Sequence, residues 1–170
     1  MLKLTIAFLL ALSITACSPK FDWRDVRGGE SPYTVLMPAK PALLSREIQL
    51  GQQTVTMHMT GAQIDGVSFA VGAVKLPDAA QAQTALTNIK IALLKNISGT
   101  ITHEKTSANT SESKLTINTD FDAISTTTTT RMVGRLVARD VWVFQVVVVG
   151  PEKAINKDAV DTFLSSFKPI

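Results

Sequence analysis

The chain has a single cysteine, Cys17, so no disulfide can form within it, and its stability must come from packing alone. Aromatic residues make up only 6 % of it, with one tyrosine, and charged residues only 18 %. There are 17 Lys and Arg against 14 Asp and Glu, with no basic block of the kind that grips a polyanion, so nucleic acid is not an expected partner. No apolar run approaches the roughly 20 residues that a spanning helix needs. The two histidines, His58 and His103, are far apart and in no ligand spacing such as H-E-x-x-H; only adjacent strands would bring His103-Glu104 to His58. No metal or other cofactor is expected. Gly66-Val67-Ser68-Phe69-Ala70 lacks the second glycine of a nucleophile elbow, and no serine has a recognisable partner base. Enzymatic activity is therefore not expected.

What is present begins at the N-terminus. Lys3 provides a positive start, and Leu4 to Ile14 is apolar apart from Thr5 and Ser13, which matches the core of a secretory signal. The run ends in Ile14-Thr15-Ala16-Cys17. This junction resembles the lipobox of bacterial lipoproteins. The resemblance implies diacylglyceryl transfer to the Cys17 thiol, cleavage between Ala16 and Cys17, and acylation of the new amino terminus. Each buried methylene contributes about 0.8 kcal/mol and two chains already anchor stably, so a tri-acylated Cys17 would hold the chain on a membrane. Ser18, rather than aspartate, follows the cysteine, which by the same resemblance favours the outer membrane, facing the periplasm. Removing residues 1–16 takes Lys3 with them and leaves 154 residues with a net charge of +2.

The rest reads as one domain, residues 32–170, after a lipidated terminus and tether over residues 17–31. Within the tether, Phe21 and Trp23 suit either the domain edge or lipid headgroups. Tyr33 to Met37 is a short strand stopped by Pro38 and Pro41. Leu44 to Leu50 and Thr54 to Thr60 flank Gly51-Gln52-Gln53 as a hairpin. Val67 to Leu76 reads as a buried strand. Asp78 then caps a helix with Ala82, Leu86, Ile89, Leu93 and Ile97 on one side, and Gly99 is expected to stop it. Strands follow over Thr100–Thr106, Lys114–Thr119, Phe121–Val137 and Val141–Val149. Trp142 to Val149 is apolar on both parities and belongs at the centre of a sheet. A closing helix runs from Lys157 to Phe167. The expected fold class is α+β, an antiparallel sheet flanked by helices on both sides.

Met37-Pro38-Ala39-Lys40-Pro41 after the first strand, the helix ending near Gly99, the Arg135 to Gly150 hairpin arm and Phe163-Leu164-Ser165-Ser166-Phe167 together resemble a known domain. It is the PsbP-like α/β/α sandwich, found among small proteobacterial lipoproteins. That resemblance implies binding or assembly roles and no catalytic residues.

Among surface features, Arg131, Arg135 and Arg139 alternate with Val133 and Val137, which places them on one face of a strand. Such a ladder could grip an anionic partner, or pair across strands with Asp122, Asp140, Glu104 or Glu112. Asp120, Asp122 and Asp140 read as an outward strand face or turn, and Thr126 to Thr130 as an exposed edge or hairpin arm. Asn96-Ile97-Ser98 and Asn109-Thr110-Ser111 are chance matches to a glycosylation sequon. The function this sequence supports is a membrane-anchored periplasmic lipoprotein that binds another envelope protein. The alternative is a small-ligand or lipid-binding module, with an apolar cavity between sheet and helix that Met57, Met59 and Met132 could line.

Overall fold

The computed structural model of the protein describes residues 19–170; the leader, the Ile14–Cys17 junction and Ser18 lie outside the described residues. The elements are β1 (Arg24–Arg27), β2 (Tyr33–Met37), β3 (Ala42–Leu50), β4 (Gln53–Ile64), β5 (Val67–Lys75), α1 (Ala79–Asn96), β6 (Gly99–Ser111), β7 (Lys114–Ser125), β8 (Thr130–Arg139), β9 (Trp142–Pro151), α2 (Lys157–Ser166) and β10 (Lys168–Pro169). Seven strands form an antiparallel sheet in the order β3-β4-β5-β9-β8-β7-β6, and a second sheet has the order β1-β2-β10. The run that is apolar on both parities, β9, is the middle strand of the seven, as its lack of a wet face requires.

This architecture corrects the expected fold class. Strands take 57 % and helices 20 % of the described residues, so the protein is a β-rich fold and not a helix-flanked α/β/α sandwich. Three segments made the difference. The stretch read as tether contains β1, which pairs with β2; Lys168–Pro169 adds a third strand beside β2; and β6 continues past Thr106 to Ser111. The layer opposite α1 is thus a three-stranded sheet with one ten-residue helix, α2.

Two hydrophobic clusters lie on the two faces of the seven-stranded sheet. Helix α1 buries Ala82, Ala85, Leu86, Ile89 and Leu93 against Met57, Val74, Leu136 and Val147. On the other face, Phe163 of α2 and Tyr33 and Val35 of β2 pack on Phe69, Val71, Phe144 and Val146. Edge-on aromatic pairs knit this cluster, Phe69 with Phe163 at 5.5 Å and Phe144 with Phe167 at 5.4 Å between ring centres. The second cover is narrower than the sheet. Strands β3 and β6 are therefore exposed along almost their whole length, and Leu43 (76 % exposed) and Leu44 (60 %) stand uncovered on β3.

Local chemistry sets the boundaries. Asp78 Oδ1 accepts from the Gln81 amide at 2.8 Å and caps α1, and these bonds hold its carboxyl below the ordinary carboxylate value. At the other end it is Ser98, not Gly99, that takes the left-handed conformation (φ 48°), and Gly99 already begins β6. The threonine run is no strand arm. Ser125 Oγ accepts from the Thr127 and Thr128 amides, and Thr126 bonds the Ser98 carbonyl, so hydroxyls fold Thr126–Thr129 into the connection between β7 and β8.

Tyr33 tests the second cluster chemically. Its hydroxyl, in a side chain 2 % exposed, donates to Thr60 Oγ1 at 2.9 Å, and burial pushes its phenol above the ordinary value. A raised folded-state value means that its stabilisation is full below about pH 10 and is lost as pH rises through the folded value. Tyr33→Phe is expected to cost about 1 kcal/mol at neutral pH, because Thr60 loses its buried donor. In urea titrations the variant should also lose less stability than the wild type on moving above pH 10.

Candidate functional site: an arginine–aspartate ladder beside the closing helix

Strand β8 places Arg131, Val133, Arg135, Val137 and Arg139 on one face and Met132, Gly134, Leu136 and Ala138 on the other, which packs under α1. The arginine face belongs to the side covered by α2, and β7 supplies its acids. Asp120 stands opposite Arg135 and Asp122 one step along from Arg131. Arg131 Nε donates to Asp122 Oδ1 at 2.9 Å while its Nη2 bonds Oδ2, and this carboxylate raises the arginine further above its ordinary value. Arg135 Nε donates to Asp120 Oδ1 at 2.5 Å and Nη2 to Oδ2 at 3.2 Å; its Nη1 reaches the Leu164 carbonyl in the last turn of α2 at 3.3 Å. That carbonyl has no partner further along the helix, so Arg135 ties α2 to the sheet. Arg139 is 8 % exposed; it donates to Thr116 Oγ1 at 2.9 Å and to Glu112 at 3.4 Å, and its Nε has no partner.

Between α2 and this wing of the sheet runs a groove of about 480 Å³, lined by His103, Asp120, Asp122, Val133, Arg135 and Leu164 among others. Its rim is balanced, with Asp120 and Asp122 matched by the two arginines and Asp161 by Lys157. The third aspartate singled out in the sequence, Asp140, is elsewhere, at 3.7 Å from Lys114 in the turn after β8.

The histidines do not meet. His58 on β4 and His103 on β6 are five strands apart, about 24 Å at the usual strand spacing. No group of three His, Cys, Asp or Glu able to hold a metal occurs among the described residues. One serine does have a histidine partner that the sequence did not reveal. Ser45 Oγ lies 2.8 Å from His58 Nδ1 across the β3–β4 ladder, because strand register rather than sequence spacing sets such pairs. The pair is exposed on an edge strand, and no carboxylate bonds the ring among the described residues. Phe21 and Trp23 stack on each other at 5.6 Å and pack against the second cluster.

On the opposite face a smaller slot of about 180 Å³ opens between α1 and the β3–β4 edge. Its apolar wall comes from Ile48, Leu50, Met57, Ile89 and Leu93, and Gln145 of β9 lies at its inner end. Met132 is buried in the core and Met59 packs against it; neither lines the slot.

No family model matches this sequence, and comparison with curated proteins returned no match.

Proposed function

We propose that the protein is a lipid-anchored periplasmic protein of the outer membrane that binds another envelope protein without catalysing a reaction. The observation that carries this reading is Ile14-Thr15-Ala16-Cys17 at the end of a signal-like apolar run, in a chain with no other cysteine for that thiol to pair with. Two residues, Ser18 and Pro19, separate Cys17 from Lys20, whose Nζ bonds Asp65 at 2.9 Å; Asp22 then joins the Pro38 carbonyl at 2.9 Å. An acylated Cys17 would thus hold the domain close to the membrane surface. The binding role is supported by the exposed wing of the sheet, where charged pairs border an open groove near the edge strand β6, which among the described residues pairs only with β7. An exposed serine–histidine pair on a flat edge lacks the enclosure and the third group that acyl transfer needs.

The test is crosslinking in intact cells followed by identification of the attached proteins. A specific envelope protein should be captured by the wild type and lost from an Arg131→Ala/Arg135→Ala variant that retains its circular dichroism. Capture of the same protein by that variant would remove the ladder from the interface.

A second reading, a small-ligand module, is favoured by the slot between α1 and the sheet, because the buried amide of Gln145 lines it beside Leu50, Met57, Ile89 and Leu93.

A further inference from the structure

Gln145 occupies the middle of the central strand, on the face that packs against α1, and is 7 % exposed. Its neighbours along that face are Val143 and Val147, and Gly72 stands opposite it on β5. Gly72 gives the amide its room, since a Cβ there would meet Gln145 Cγ at 2.8 Å and Met57 Sδ at 3.0 Å. A buried primary amide has two donor hydrogens and an acceptor oxygen, and such groups are almost always bonded. Among the described residues Gln145 makes no side-chain hydrogen bond, and its side chain lines the slot. This amide therefore faces a cavity with an outlet.

The lining defines what fits. The volume of about 180 Å³ corresponds to roughly six waters at the volume they occupy in the liquid. It suits a compact ring with one or two substituents and not a long chain. The buried wall residues Leu50, Met57, Ile89 and Leu93, with Ile48, call for an apolar body, while Gln49, Asn88 and Asn96 supply polar groups nearer the solvent. Among the described residues no carboxylate lines the slot to neutralise an amine. The one cation among them, Arg46, lies on the exposed edge strand and would leave a carboxylate beside Gln145 unpaired. The inner group should thus be neutral and able both to donate and to accept, as a hydroxyl does through one oxygen. Thioethers pack well at aromatic ring edges, and Met57 Sδ sits beside Gln145.

We propose that this slot binds a phenol, ring between α1 and the β3–β4 edge and hydroxyl on the Gln145 amide, brought either as a free small molecule or as a tyrosine side chain of a partner. This rests on the small-ligand reading above and is independent of the membrane anchor.

The test uses the full chain, carrying 13C at its methionine methyls, titrated with p-cresol and with toluene, which lacks the hydroxyl. The Met57 signal should move saturably with p-cresol, and toluene should bind roughly tenfold more weakly, the effect of one hydrogen bond to a buried amide. In Gln145→Leu the two compounds should bind equally. N-acetyltyrosinamide distinguishes the sources: binding as tight as p-cresol supports a tyrosine of another chain, and binding of p-cresol alone supports a free phenol. Equal affinity of the wild type for p-cresol and toluene would overturn the phenol assignment while leaving an apolar ligand slot. No movement of Met57 with either compound would overturn the slot itself.

Discussion

Phe163→Ala is expected to destabilise the domain by about 3–5 kcal/mol, a large part of the 5–15 kcal/mol that holds a typical domain folded. Phe163 is 0 % exposed and is the largest of the three side chains, with Ala159 and Val160, that α2 buries in the second cluster. Its ring meets Phe69 edge-on, at right angles, on the main sheet. Truncation would remove both the transferred apolar area and this pairing, and the β1-β2-β10 sheet is too small to close over the hole. At roughly 2–4 °C per kcal/mol for a domain of this size, the melting temperature should fall by about 10 °C. Leu44→Ala provides the contrast, because Leu44 is 60 % exposed on an edge strand and its truncation should change stability by less than about 0.5 kcal/mol. Similar losses for the two variants in urea denaturation would mean that α2 is not a structural cover of the sheet.

The parts of this fold that could be read in the sequence are those where one residue pattern allows one structure. Trp142 to Val149, apolar on both parities, had to lie at the centre of a sheet, and Asp78 with Ala82, Leu86, Ile89 and Leu93 had to form a capped amphipathic helix. The class as a whole is not legible there, because short, polar or glycine-bordered segments carry little periodicity. Arg24–Arg27 has four residues and only Val26 for an apolar signal, yet pairing with β2 makes it a strand. In β6, nearly every residue is wet on both faces, so no alternation marks its length; the β7 ladder extends it to Ser111. Threonine favours strands, but five in succession also offer hydroxyls to the backbone, and at Thr126–Thr129 the local bonds prevail.

The candidate site was legible in the same partial way. Alternation with valine placed Arg131, Arg135 and Arg139 on one strand face, but which acids they meet depends on the register between β7 and β8. That register is fixed by the length of the threonine connection, which strand propensity alone does not reveal, so the pairing of Asp120 with Arg135 has no signal in the sequence. Gln145 does carry a signal in the sequence, since a single amide in a run otherwise apolar on both faces needs either a buried partner or a cavity. The Ser45–His58 contact had no sequence signal, being a cross-strand neighbour pair.

Replacement of Cys17 by serine carries the largest expected change in the proposed function, loss of the lipid anchor. A serine hydroxyl is not a thiol and cannot take the diacylglyceryl group, and among the described residues no helix is long and apolar enough to cross a membrane. The direct measurement is labelling of cells with radioactive palmitate, followed by fractionation of the wild type and the Cys17→Ser variant. The wild type should be labelled and recovered with the outer membrane, and the variant unlabelled and either released to the soluble periplasm or retained with its leader uncleaved. Equal palmitate labelling of the two proteins would contradict the anchor, and with it the proposed place of this domain in the cell.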